Sequence, residues 1–168
     1  LYVRGGTPIR PVLQGADQEH GLRPGTENVA AIVALGAAAA LASNSQATMS
    51  AHMLTLRNRL HESLVTAIPG LQLNGHPELR LPNTLHISFP GVSARALLVE
   101  VADVVAASVG SACHSRHDAV SGVLAAMGVD AMRAAGAVRF SVGRMTTSGE
   151  IDRAANGLVV AWQKLQTR

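Results

Sequence analysis

The sequence predicts a mixed α/β chain: a small α+β domain with helices covering a short sheet, preceded by a glycine- and proline-rich arm and one apolar helix. Three observations carry this. From residue 70 onward, period-two alternations are separated by helical periodicities, the pattern of helices laid on a sheet. The 168 residues, 48% apolar, are enough for one sizeable core, or for one domain plus a piece of another. Residues 1–42 close no core of their own, so a fold boundary is expected in 40–50, around Ser43-Asn44-Ser45, dividing 1–42 from 43–168.

The elements follow in order. Residues 1–26 are rich in Gly and Pro and carry a polar string, Gln18-Glu19-His20-Gly21-Leu22-Arg23-Pro24-Gly25-Thr26-Glu27-Asn28. Thr26 is the expected N-cap of the apolar helix Val29 to Ala42. A loop feeding a helix N-terminus presents free N–H groups, so an anion can dock there; an ordinary capped turn is the alternative. The 14 apolar residues fall short of the ~20 that span a bilayer, and a soluble, buried helix is expected. Met53, Leu56, Leu60, Leu64 and Ile68 then mark one face of a second helix, stopped by Pro69-Gly70. Leu71 to Leu73 and Leu85 to Phe89 alternate as strands, and Ser93 is a candidate cap for a helix to Asp103.

A short apolar strand is expected from Val104 to Ser108, then a loop, a helix from Val120 to Met127 closed by Gly128, and a helical turn over Ala131 to Ala135. Ala137 to Val142 reads as a strand. Thr147-Ser148-Gly149-Glu150 is a capping box, and Ile151, Ala154, Ala155, Leu158, Val159, Trp162 and Leu165 give the terminal helix its apolar stripe.

Composition narrows function. The net charge is +3, but the 13 arginines and single lysine are scattered and only Tyr2, Phe89, Phe140 and Trp162 are aromatic, so nucleic-acid binding is not expected. One cysteine cannot form an internal disulfide, and a cytoplasmic setting is the default. The chain opens Leu1-Tyr2-Val3-Arg4, with neither an initiator methionine nor a secretory leader, and reads as part of something longer. Lys164, in the last turns of the terminal helix, reads as a solvated residue suited to the helix dipole. No lysine is therefore placed for Schiff-base chemistry in an apolar pocket.

Two sites carry chemistry. Cys113 lies in Ser108-Val109-Gly110-Ser111-Ala112-Cys113-His114-Ser115-Arg116-His117, where cationic and basic neighbours can generate the thiolate a nucleophile needs. An inert, buried cysteine is the alternative, and Cys113, His114, His117 and Asp118 are also metal-ligand types, although no second ligand pair is spaced for them. Arg139 points away from the apolar row of Val138, Phe140 and Val142, and its planar fork suits a carboxylate, from a small molecule or from an intrachain Asp or Glu. Arg144, past Gly143, is read as a surface or capping residue.

Four ordered motifs, Gln18-Glu19-x-Gly21-x-Arg23-x-Gly25-Thr26-Glu27-Asn28, Leu81-Pro82-Asn83-Thr84, Ser108 to Ser115 and Val138 to Arg144, resemble the C-terminal part of a cysteine desulfurase. Ala112-Cys113-His114-Ser115 and Arg23-Pro24-Gly25-Thr26-Glu27-Asn28 are especially similar to the selenocysteine lyase branch. These are class V aminotransferase-type, fold type I pyridoxal-phosphate enzymes. The resemblance implies the tail of the large cofactor-binding domain over 1–42 and the C-terminal small domain over 43–168. It implies a Cys113 thiolate that attacks the sulfur of cysteine bound to pyridoxal 5'-phosphate, leaving a persulfide and releasing alanine. It places Arg139 and His114 at the substrate, and Thr26 and Arg23 at the cofactor, with Thr26 reaching the phosphate in the other subunit of a homodimer. A sulfur-acceptor protein and a role in iron–sulfur cluster biogenesis are also implied. The chain departs from the family at Gly15-Ala16-Asp17, where Gly-Gly-Gly is usual, and lacks the cofactor lysine. The alternative is a catalytically inactive remnant serving as a dimerisation or sulfur-relay module.

Overall fold

The computed structural model describes residues 2–109 and 121–167, in two compact units, Leu1–Ser45 and Gln46–Arg168. Helix α1 (Val29–Ala67) runs through both, followed by β1 (Gln72–Leu73), β2 (Thr84–Ser88), α2 (Ala94–Glu100), α3 (Gly122–Ala126), α4 (Ala131–Ala135), β3 (Ala137–Ser141) and α5 (Ser148–Gln166).

In the first unit an irregular arm leads into α1. Two expectations for this helix need correction. It is one helix of 39 residues and not two: alanine-rich sequence propagates well, and Ser45 Oγ donates to the Leu41 carbonyl at 2.7 Å, so Ser43-Asn44-Ser45 are absorbed without a break. Nor is its first half buried, since Val29, Ile32, Val33, Leu35 and Leu41 are exposed. By length and composition α1 is able to cross a membrane. Its cap is Asn28, whose Oδ1 accepts from Ala31 N at 3.1 Å, and not Thr26.

The second unit is a two-layer sandwich. Its antiparallel sheet has the order β1-β2-β3, with Leu85 opposite Phe140, His86 opposite Arg139 and Ile87 opposite Val138. Alternation splits the faces. Leu85, Ile87, Val138 and Phe140 join Leu56, Leu60 and Leu64 of α1, Leu97 of α2, and Ile151, Ala155 and Leu158 of α5 in one core. His86 and Arg139 lie on the other face.

The ends are fastened by specific bonds. Thr147 and Glu150 form the expected capping box on α5, Trp162 Nε1 and Gln166 Nε2 donate to the Pro90 carbonyl, and Arg59 pairs with Asp152 through both fork nitrogens at 2.6 and 2.7 Å. Ser93 precedes α2 but makes no side-chain cap bond, and α2 stops at Glu100. The strand expected over Val104 to Ser108 is reduced to a single bridge, Ser108 to Arg139, because the amides of Val104 and Val105 turn back onto the Val101 carbonyl.

Candidate functional site

In the second unit, the site is built on β3. Arg139 is carried on the exposed face by strand alternation, and no carboxylate pairs with it among the described residues. Its backbone is fixed on both sides: Arg139 N donates to the Ser108 carbonyl at 3.0 Å, and His86 stands opposite on β2. Ser108 thereby ties the start of the third sequence motif to the residue that carries the guanidinium.

His86 is the residue that sequence reasoning missed. Its Nε2 is buried and has no hydrogen-bond partner among the described residues. Burial, and secondarily the charge of Arg139, push its pKa below the ordinary histidine value, so the ring is held neutral. Alternation in Leu85-His86-Ile87 signals its face; the register that sets it against Arg139 has no local signal.

The Leu81 to Thr84 motif scaffolds this sheet. The largely buried Arg57 donates from Nη1 to the Leu81 carbonyl at 2.8 Å, and Val142 N donates to the Asn83 carbonyl at 3.0 Å, joining α1 and the end of β3 to the start of β2. Arg80 has buried Nε and Nη1 atoms without partners among the described residues. Burial lowers the pKa of His61, as do the charges of Arg80 and Arg57, with Glu62 opposing.

In the first unit, the string from 17 to 28 forms a tight loop. Glu19, His20 and Gly21 have φ of 52, 57 and 73°, a left-handed run including two non-glycine residues, each costing of order 1–2 kcal/mol. Gly21 N donates to the Asp17 carbonyl, Gln18 Oε1 accepts from Gly25 N at 3.1 Å, and Arg23 Nη1 donates to the carbonyls of Gly25 and Thr26 at 3.2 and 3.3 Å. Gly15 is required, because a Cβ there would lie 2.5 Å from Pro24 Cβ. Arg23 thus shapes the loop, and Thr26 is left exposed with its hydroxyl unengaged among the described residues. The Thr26 hydroxyl is thus free to donate to an oxyanion.

The sole lysine does not fit a Schiff base. Lys164 Nζ is ion-paired with Glu100 Oε2 at 2.5 Å on the outside of α5, and not merely solvated. Cys113, His114, Arg116, His117 and Asp118 lie outside the described residues. No group of three His, Cys, Asp or Glu gathers among the described ones.

Comparison with known proteins agrees with these motifs. The aminotransferase class-V pattern matches residues 5–154. The chain is 44% identical over 154 residues to cysteine desulfurase 2 of Trichormus variabilis, covering 91% of this chain and 38% of that protein. It is 42% identical over 167 residues to cysteine desulfurase IscS of Methanosarcina thermophila, covering 99% and 41%. Among solved structures, a NifS-like protein superposes with a TM-score of 0.81 at 33% identity over 99% of this chain and 42% of its own. DndA from Streptomyces lividans gives 0.62 at 33% identity over 80% and 37%. The chain spans about two fifths of the length of these relatives.

Proposed function

Because the chain belongs to the class-V aminotransferase family, we propose that it is the C-terminal part of a pyridoxal-phosphate-dependent cysteine desulfurase or selenocysteine lyase. Arg139 carries the reading: an exposed guanidinium on a buried-core strand, without a carboxylate partner among the described residues, offers a planar fork of donors to the carboxylate of an amino acid. The family likeness supports placing the substrate there.

The roles follow from this chain's own residues. Arg139 grips the substrate carboxylate, and His114 is assigned to substrate binding. The thiolate of Cys113 attacks the substrate sulfur; the carbon–sulfur bond breaks, a proton replaces sulfur on carbon, and alanine leaves while Cys113 keeps the sulfur as a persulfide. Thr26 holds the cofactor phosphate in the other subunit of a homodimer, through a loop that Arg23 braces. Pyridoxal phosphate, when bound, supplies the electron sink for breaking that bond. Its Schiff-base lysine is assigned outside these 168 residues, since Lys164 is engaged with Glu100. A cytoplasmic location and a sulfur-acceptor partner complete the proposal.

The test is alanine release from L-cysteine by the intact protein with pyridoxal phosphate. Release should need the cofactor and be lost in Cys113→Ser. Release that survives both omission and substitution would overturn the assignment.

A further inference from the structure

His86 and Arg139 form a directly opposed cross-strand pair on the face of the sheet away from the core. Opposed residues in an antiparallel pair have Cβ atoms about 5 Å apart, within reach of a ring and a guanidinium. Neither group is satisfied among the described residues: Arg139 has no side-chain partner, and His86 Nε2 is shut away from solvent with none. A buried nitrogen left unpaired forfeits its hydrogen bond to water and gains none in return. The two groups make no hydrogen bond to each other here, yet each is of the type the other lacks, an acceptor nitrogen and a donor fork.

The charge states are complementary. Held neutral by burial and by the neighbouring cation, the imidazole presents a lone pair on the nitrogen that lacks its proton. A guanidinium has five donors and no acceptor, so one N–H can be given to His86 while the remaining fork faces a carboxylate. An arginine anchored at one corner loses less freedom on binding than one waving from a strand.

We propose that His86 is a positioning residue: it accepts a hydrogen bond from Arg139 and aims the guanidinium at the substrate carboxylate. The proposal rests on the reading that Arg139 binds that carboxylate. It predicts a binding effect and not a chemical one, because the role assigned to His86 is exercised only through Arg139.

The experiment compares His86→Phe, His86→Asn and Arg139→Ala in the intact protein, with KM and kcat for L-cysteine and the calorimetric Kd of L-alanine. Phe keeps the ring and removes the acceptor; Asn keeps an acceptor. His86→Phe should raise KM and the alanine Kd about tenfold with kcat within twofold, His86→Asn should restore most of the affinity, and Arg139→Ala should raise both constants further. If Arg139→Ala weakens binding while His86→Phe does not, the positioning role is wrong and the substrate site stands. If His86→Asn is as weak as His86→Phe, ring packing and not acceptance is responsible, which also overturns it. If Arg139→Ala leaves both constants unchanged, the substrate-site reading itself fails and the proposal falls with it.

Discussion

Replacing Gly136 by alanine tests how the sheet that carries Arg139 is held together. Gly136 caps α4 and leads into β3 with φ −90° and ψ 7°, a backbone that alanine adopts, so conformational strain is not at issue. Space is: a Cβ there would lie 2.1 Å from the Phe89 carbonyl oxygen and 3.1 Å from that of Val92. Carbon–oxygen contacts close at about 3.3 Å, so the end of β2 must retreat by roughly 1 Å. The same two residues are joined by the bond from Phe89 N to the Gly136 carbonyl at 2.9 Å, which the retreat breaks. Overpacking costs about 1–3 kcal/mol and the bond about 1 kcal/mol, giving a loss of about 2–4 kcal/mol. With a urea slope of about 2 kcal/mol/M, the denaturation midpoint should fall by about 1–2 M. Gly36→Ala, in α1 with open space around its Cβ, should instead stabilise by about 0.5–1 kcal/mol. Gly136→Ala with an unchanged midpoint would refute the close approach of β2 and β3 on which the position of Arg139 depends.

Other outcomes follow from the same contacts. Leu64→Ala, at a fully buried position in the core, should cost about 2–5 kcal/mol in urea denaturation. Thr147→Ala removes the side-chain half of the α5 capping box, the acceptor for Glu150 N, and leaves the backbone bond from Thr147 N to Glu150; it should cost about 1 kcal/mol, read as a lowered Tm. His61 and His86 have pKa values lowered chiefly by burial and further by nearby arginines. The unfolded chain therefore binds protons first, and stability present above about pH 6.5 is lost as pH falls below that value toward the folded pKa values. Denaturation midpoints between pH 7 and 5 should show this fall, and it should be shallower in His61→Gln.

Much of the second unit was legible because its signals are local. The Met53-to-Ile68 stripe, the Thr147–Glu150 box and the alternation through Val138, Arg139 and Phe140 each report a face or an end without reference to distant chain, and the structure places them accordingly. What was missed depends on partners far away in sequence. Strand register sets His86 opposite Arg139, and alternation within either strand is indifferent to it. Ser43-Asn44-Ser45 has the polar composition of a break, yet α1 runs through it because Ser45 satisfies itself on the helix's own Leu41 carbonyl. Thr26 has the residue type of a cap ahead of the apolar run, but Asn28, two residues closer, makes the bond.

The central claim is that Cys113 takes sulfur from a substrate whose carboxylate Arg139 holds. Mass spectrometry of the intact protein after brief exposure to L-cysteine, without reductant, measures it directly. The account predicts one additional sulfur atom on the peptide containing Cys113, removed by reductant and absent in Arg139→Ala at low substrate. Alanine formed with no sulfur on Cys113, or sulfur carried there equally well without Arg139, would contradict it.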